Sequence, residues 1–212
     1  MHCWHDVKPT RITPENFLSL IEISKGSKNK YELDKETGHL ILDRVLFTST
    51  IYPQNYGFIP RTFARDYDPL DVLVLCSESI LPMSFVRCSP IGVLIMTDNG
   101  LPDEKIIAVC NDDPFYKDFK DIKDIPDHVM AEIKHFFTVY KSLENKDTAV
   151  DEVYGRDEAI KVIEDKLTEC NVPNDFIVLG NSDHGLNHPD DAGQLEIFDN
   201  TVKAAIKQIK DL

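Results

Sequence analysis

The sequence predicts a mainly β fold with helices packed outside it, on three observations. Short apolar runs at close spacing, separated by Gly and Pro, fill the stretch from about Phe17 to Val109. Amphipathic segments with a helical period take over after Asp112. No internal repeat or low-complexity linker divides the 212 residues, which amount to one domain with room for an appendage. Short strands in such a series close into a barrel or pack as a sandwich.

The elements follow in order. Thr13-Pro14-Glu15 has the chemistry of a helix start, with Thr as cap and Pro at the first helical position. Leu18 to Ile23 is an apolar strand holding one acid, Glu22. Tyr31, Leu33, Leu40, Leu42 and Val45 alternate with polar residues, the period of half-buried strands, and Glu36-Thr37-Gly38-His39 between them reads as a hairpin turn. Tyr52-Pro53-Gln54-Asn55-Tyr56-Gly57-Phe58-Ile59-Pro60 is expected to be a rigid loop carrying phenolic donors. Val72 to Cys76, Phe85 to Met96 and Ile106 to Cys110 are the strongest β runs. Helices are expected from Ile125-Pro126 to about Leu143, where Val129, Met130, Ile133, Phe136, Phe137 and Tyr140 share a face, then over Asp157 to Cys170 and Leu195 to Leu212.

Composition narrows the function classes. Thirty-seven Asp and Glu against twenty-three Lys and Arg leave a net charge of −14. A general nucleic-acid binder needs a basic face, so that partner is not expected. No window reaches the roughly 18 to 20 apolar residues of a spanning helix, and Met1-His2-Cys3-Trp4-His5-Asp6 holds no apolar run of signal-peptide length. The five cysteines are scattered, with no C-x-x-C pair, which fits neither a disulfide framework nor a zinc cage. No membrane partner and a cytoplasmic location are the expectations.

Chemistry concentrates at Asp66-Tyr67-Asp68-Pro69-Leu70-Asp71, directly before the strand Val72-Leu73-Val74-Leu75. Three carboxylates this close repel unless cations or hydrogen bonds compensate them. Pro69 fixes its own backbone and biases Asp68 toward an extended conformation, so the segment can gather hard oxygen ligands suited to Mg²⁺ or Mn²⁺. By itself such a cluster reads equally well as a solvated acidic turn. A calcium EF-hand loop from Asp66 would need Gly where Asp71 stands and Glu where Ser77 stands, and an aspartyl-phosphate phosphatase would have Thr or Val in place of Leu70. P-loop, G-x-G-x-x-G and G-x-S-x-G elements are missing from the sequence. His184 and His188 sit beside Gly185 and Pro189 in a stretch expected to be a surface loop, and His2 and His5 in an expected flexible terminus.

The order of the charged pieces is informative. Glu22, Lys30-x-Glu32, Arg44, Y-P-x-N-Y-G from Tyr52, D-x-D-P-x-D from Asp66, Thr97-Asp98, Asp103-x-Lys105 and Tyr140-Lys141 together closely resemble the soluble family I inorganic pyrophosphatases, from about Leu18 to Leu143. The resemblance implies a five-stranded OB-like closed β-barrel with flanking helices, in a barrel domain over 1–171. Residues 172–212 would then be a C-terminal helical extension on the same domain or at a subunit interface. It implies hydrolysis of pyrophosphate to two orthophosphates with several Mg²⁺ ions per site, and a homo-oligomer, hexamer or dimer. Carried over by motif, Asp66, Asp71 and Asp103 would hold the tightest metal, and Asp68 would orient or deprotonate the attacking water. Glu22, Glu32 and Asp98 would hold metals arriving with substrate. Lys30, Arg44 and Tyr56 would donate to one phosphate, and Lys105, Tyr140 and Lys141 to the other, with Tyr52 behind them.

This chain departs from the family's pattern at Tyr67, bulky where a small or polar residue is usual, and at Asn99, where many members have another acid. Two rival readings remain distinct in their consequences. Another Mg²⁺-dependent phosphohydrolase would attack nucleotides or phosphomonoesters. An OB-like module binding oligonucleotides would show basic and aromatic residues on exposed strands, which the acidic balance disfavours. An inactive relative would have lost carboxylates, and every expected one is present.

Overall fold

Two of the apolar runs are continuous rather than alternating, and burial on both faces is the reason. The structure, a computed structural model, describes residues 3–64, 68–98, 100–144 and 148–169. In it β5 (Asp71–Leu75) and β7 (Leu101–Cys110) pair in parallel, Asp71 opposite Lys105 and Leu75 opposite Val109. Val72, Val74, Ile106 and Ala108 enter one apolar core with Ala159 and Ile163 of α2 (Arg156–Glu169). Leu73, Leu75, Ile107 and Val109 enter another with Ile133, Phe136 and Phe137 of α1 (Asp127–Val139). A strand pair covered on both sides has no polar face to show in its sequence.

Around this pair a ring closes. β1 (Phe17–Ile23) pairs with β4 (Asn55–Phe58), β4 with β5, β5 with β7, β7 with β6 (Phe85–Asp98), and β6 returns to β1 through Phe17 opposite Cys88. Five strands thus form the expected OB-like barrel. β2 (Asn29–Leu33) and β3 (Leu40–Val45) form a separate antiparallel ribbon, and β8 (Thr148–Gly155) is added to the free side of β6. The ribbon's turn is the expected one: Gly38 takes φ +70° and its N–H donates to Asp34 O at 2.8 Å. Only glycine occupies that region without strain. The compact unit spans Met1–Thr168, and nearly all of a second unit, Glu169–Leu212, lies outside the described residues. The helix expected over 195–212, the 181–191 loop with His184 and His188, and His2, Asp66, Tyr67, Asn99 and Cys170 lie outside them too.

Several local expectations are corrected. Thr13-Pro14-Glu15 starts no helix: Thr13 closes a turn on Asn16, whose N–H donates to Thr13 Oγ1 at 3.1 Å, and β1 begins at Phe17. The short helical turn lies earlier, at Pro9–Arg11. The tyrosine segment is not all loop, because Asn55–Phe58 is a barrel strand. The region after Asp112 is not all helix. β8 gives no clean alternation in the sequence because Ile95 and Met96 face Glu152 and Val150, leaving Asp151 as a bulge. The ribbon is not half-buried throughout, since Ile41, Leu42 and Val45 are exposed. His5 is no loose end: its ring stacks on buried Trp4 at 4.5 Å.

Gly57 sets how closely β4 can lie beside β1. A Cβ there would fall 1.8 Å from the Leu20 carbonyl oxygen. Gly57→Ala should therefore force the two strands apart and destabilise the fold by at least about 2 kcal/mol. Urea unfolding of the two proteins checks this, and an unchanged midpoint would refute the close approach.

Candidate active site

The charged residues continue a core face to its end. On β5, Asp71 precedes Leu73 and Leu75 on one side of the strand, and on β7, Asp103 and Lys105 precede Ile107 and Val109. Parallel register sets Asp71 directly opposite Lys105. Lys105, 3% exposed, donates to Asp71 Oδ2 at 2.7 Å, Asp103 Oδ1 at 3.0 Å and the Tyr56 hydroxyl at 3.0 Å, using all three of its protons. Tyr56, from β4, donates its own hydroxyl proton to Asp71. Below the ammonium lies an aromatic floor, with the rings of Tyr56 and Phe137 centred 5.5 and 5.4 Å away. Phe136 and Phe137 of α1 reach the site as packing, Phe136 tilted against Tyr52 and Phe137 edge-on to Tyr140.

The turn after α1 brings the next charges. Lys141, buried, donates to Asp98 Oδ2 at 2.5 Å, while Asp98 Oδ1 is buried with no hydrogen-bond partner among the described residues. From the ribbon, Lys30 pairs with Glu32 and lies 3.3 Å from Asp43, and Arg44 pairs with Asp43. Arg44 Nε also donates to Glu144 Oε1 at 3.0 Å. Glu22 sits buried on β1, accepting from Leu33 N at 2.7 Å, within electrostatic reach of Asp71, Glu32 and Lys30. Asp68 pairs with Lys35, whose ammonium lies 5.3 Å above the Trp4 ring. Sequence reasoning named neither Lys35 nor Glu144. Glu144 carried one usable signal, since it follows Lys141 by three residues and shares its side of a helical turn.

Barrel ends, ribbon and post-helix turn thus bring together Glu22, Lys30, Glu32, Arg44, Tyr56, Asp71, Asp98, Asp103, Lys105, Tyr140 and Lys141 through contacts or charge interactions, while Asp68 is seen against Lys35. No three Asp, Glu, His or Cys side chains among the described residues come close enough to hold a metal together, and Asp66, the third expected partner of Asp71 and Asp103, lies outside those residues. The donor set still fits a hard divalent cation. It is all carboxylate, half-buried for the most part with Glu22 buried, and one buried oxygen, Asp98 Oδ1, lacks any partner among the described residues.

Comparison with known proteins then decides the family. Residues 19–171 match the sequence profile described as inorganic pyrophosphatase. The chain belongs to that family. Over 167 residues it is 54% identical to soluble inorganic pyrophosphatase 2 of Chlamydomonas reinhardtii, covering 78% of this chain and 86% of that one. Over 163 residues it is 53% identical to the soluble inorganic pyrophosphatase PPA1 of Solanum tuberosum, covering 77% of each. The inorganic pyrophosphatase structure from Helicobacter pylori superposes with a TM-score of 0.74 at 42% identity, over 78% of this chain and 98% of that one. That from Thermus thermophilus gives 0.72 at 39%, over 74% and 92%.

Burial sets the protonation of this pyrophosphatase's site. It pushes the Glu22 carboxyl up to about 8 from an ordinary 4.5, against the Leu33 hydrogen bond, with the charges of Asp71 and Glu32 adding to the rise. It raises Asp103 as well, Lys105 opposing and Asp71 adding. Burial alone would lower Lys105, but Asp103 and Asp71 more than reverse this and hold it well above its usual value. The buried Tyr56 and Tyr140 hydroxyls are raised, so both are donors at neutral pH. For Glu22 the folded chain binds the proton more tightly than the unfolded one. Its contribution to stability is complete below 4.5 and is lost as pH rises to about 8. With divalent ions chelated, the melting temperature should fall across that window, and less steeply in Glu22→Gln. Equal slopes in the two proteins would count against the buried carboxyl.

Proposed function

We propose that the chain is a Mg²⁺-dependent inorganic diphosphatase whose carboxylates hold the metal and whose basic and phenolic groups hold the two phosphates. Family membership carries the hydrolysis of pyrophosphate. The observation that carries the site is the convergence of Asp71, Asp103 and Tyr56, from three barrel strands, on one buried ammonium.

In this reading Asp71 and Asp103, with Asp66, hold the tightest ion, while Glu22, Glu32 and Asp98 serve ions that arrive with substrate. Bound Mg²⁺ supplies charge neutralisation and acidifies water at neutral pH. Lys30, Arg44 and Tyr56 bind one phosphate, and Lys105, Tyr140 and Lys141 the other, Tyr56 and Lys105 exchanging a carboxylate acceptor for a phosphate oxygen as they do so. The buried phenols stay protonated and Lys105 stays charged, so these are donors throughout the neutral range. Asp68 orients the attacking water and takes its proton. As the new P–O bond forms, the bridging P–O bond breaks and the second phosphate leaves with that oxygen, stabilised by donors fixed in place beforehand. Mn²⁺ has the same oxygen-ligand preference and is expected to substitute.

Phosphate release from pyrophosphate, ATP and a phosphomonoester, each with Mg²⁺, with Mn²⁺ and with chelator, tests the proposal. Fast release from pyrophosphate alone, absent with chelator, is expected, and comparable release from the other two would overturn the substrate assignment. Asp71→Asn should nearly abolish turnover in a folded protein, and Lys141→Ala should lower kcat/KM about a hundredfold. Wild-type rates in either would remove that residue from the site.

Two further parts of the reading concern the whole molecule. A homo-oligomer is supported by apolar side chains exposed around β3, among them Ile41, Val45, Ile51 and Phe47, the last 60% exposed. Light scattering should give the mass of two or six chains, and the mass of one would refute it. A cytoplasmic location is supported by Cys76, Cys88 and Cys110, buried as free thiols. Fractionation of source cells checks it, and recovery in an organelle would refute it.

A further inference from the structure

Arg44 is held in an unusual way for a residue meant to meet a phosphate. Its Nε donates to Glu144 Oε1 at 3.0 Å and its Nη1 pairs with Asp43. Nη2, between these two held edges, is buried and has no partner among the described residues. Glu144 lies 100 residues away in the sequence, in the turn that also carries Lys141, and its side chain is only 7% exposed. A carboxylate that buried is costly unless its partner is fixed in place. A guanidinium is planar, so gripping one nitrogen fixes the direction of the other two.

We propose that Glu144 is a positioning residue for Arg44, fixing the guanidinium so that Nη2 is presented to a substrate phosphate. The proposal rests on the pyrophosphatase reading above. It also links the two phosphate-binding groups. Lys141 and Glu144 leave the same short turn, whose Glu144 N–H donates to Lys141 O at 2.8 Å, so one backbone segment sets both Lys141 and, through Glu144, Arg44. A tie that merely fastened the ribbon to the turn would leave all three guanidinium nitrogens paired or solvated. The unpartnered Nη2 is what distinguishes the two roles.

Steady-state kinetics on the full chain with pyrophosphate and Mg²⁺ test this, with inhibition by inorganic phosphate as a second readout. Glu144→Ala should raise KM about tenfold, and the phosphate inhibition constant with it, while kcat changes less. Glu144→Gln keeps an acceptor oxygen and should stay within about threefold of the parent. In an Arg44→Ala background, Glu144→Ala should add nothing, because the group it positions is gone. If Glu144→Ala does not fold, Glu144→Met fills a similar volume without an acceptor and is read in the same way. Additive effects of Arg44→Ala and Glu144→Ala, or an unchanged KM in Glu144→Ala, would overturn the proposal while leaving the activity assignment intact. A wild-type protein that releases no phosphate from pyrophosphate would overturn both.

Discussion

The site depends on one buried ammonium, Lys105, being opposite Asp71 and next but one to Asp103. Moving a charged group out of water costs several kcal/mol even after relaxation, and a partial set of partners leaves much of that cost standing. Lys105 has a full set, three acceptors for three protons. That geometry is a consequence of register. A slip of one residue between β5 and β7 would turn Asp71 away from Lys105, and with it Leu73 and Leu75 away from Ile107 and Val109. The apolar rows that fill the core therefore also hold the charged residues at their ends in place.

A site built for a polyanion and its counter-cations must contain both signs of charge. In the protein itself the two signs serve each other: Lys105 with Asp71 and Asp103, Lys141 with Asp98, Lys30 with Glu32 and Asp43, Lys35 with Asp68. Such pairing limits the repulsion that an overall charge of −14 would otherwise concentrate here. Glu22 is the exception. Its hydrogen bond comes from a backbone N–H rather than an ammonium, and it is the carboxyl that burial raises furthest into the neutral range.

What the sequence made legible follows from how local each signal is. β5 and β7 were readable because burial on both faces writes itself as an unbroken apolar run. β4 was not, since four residues beginning Asn-Tyr-Gly carry turn chemistry in isolation, and only the neighbouring strands make them a strand. β8 was hidden by the bulge at Asp151. The acidic hexapeptide alone left metal site and solvated turn equally open, and it was the ordered set of motifs around it that carried the resemblance to the family. Lys35 and Glu144 could not be tied to their partners from the sequence, although the spacing of Glu144 from Lys141 was legible. Each acts on a residue far along the chain, Asp68 at 33 positions and Arg44 at 100, and no spacing rule reaches that distance.

The aromatic face of α1 has consequences beyond packing. Phe136, Phe137 and Tyr140 exclude water from the same space into which Tyr56, Lys105 and Asp103 project. Low polarity there acts on every titratable group at once, disfavouring whichever form is charged. For Tyr56 and Tyr140 the effect keeps the phenol protonated, the state in which a hydroxyl can donate. For Asp103 the same effect is a penalty that a nearby cation offsets, and for Glu22 burial on β1 is a penalty of the same kind. One cause, dryness, therefore fixes the donors in their working state and leaves the acceptors in need of a positive charge.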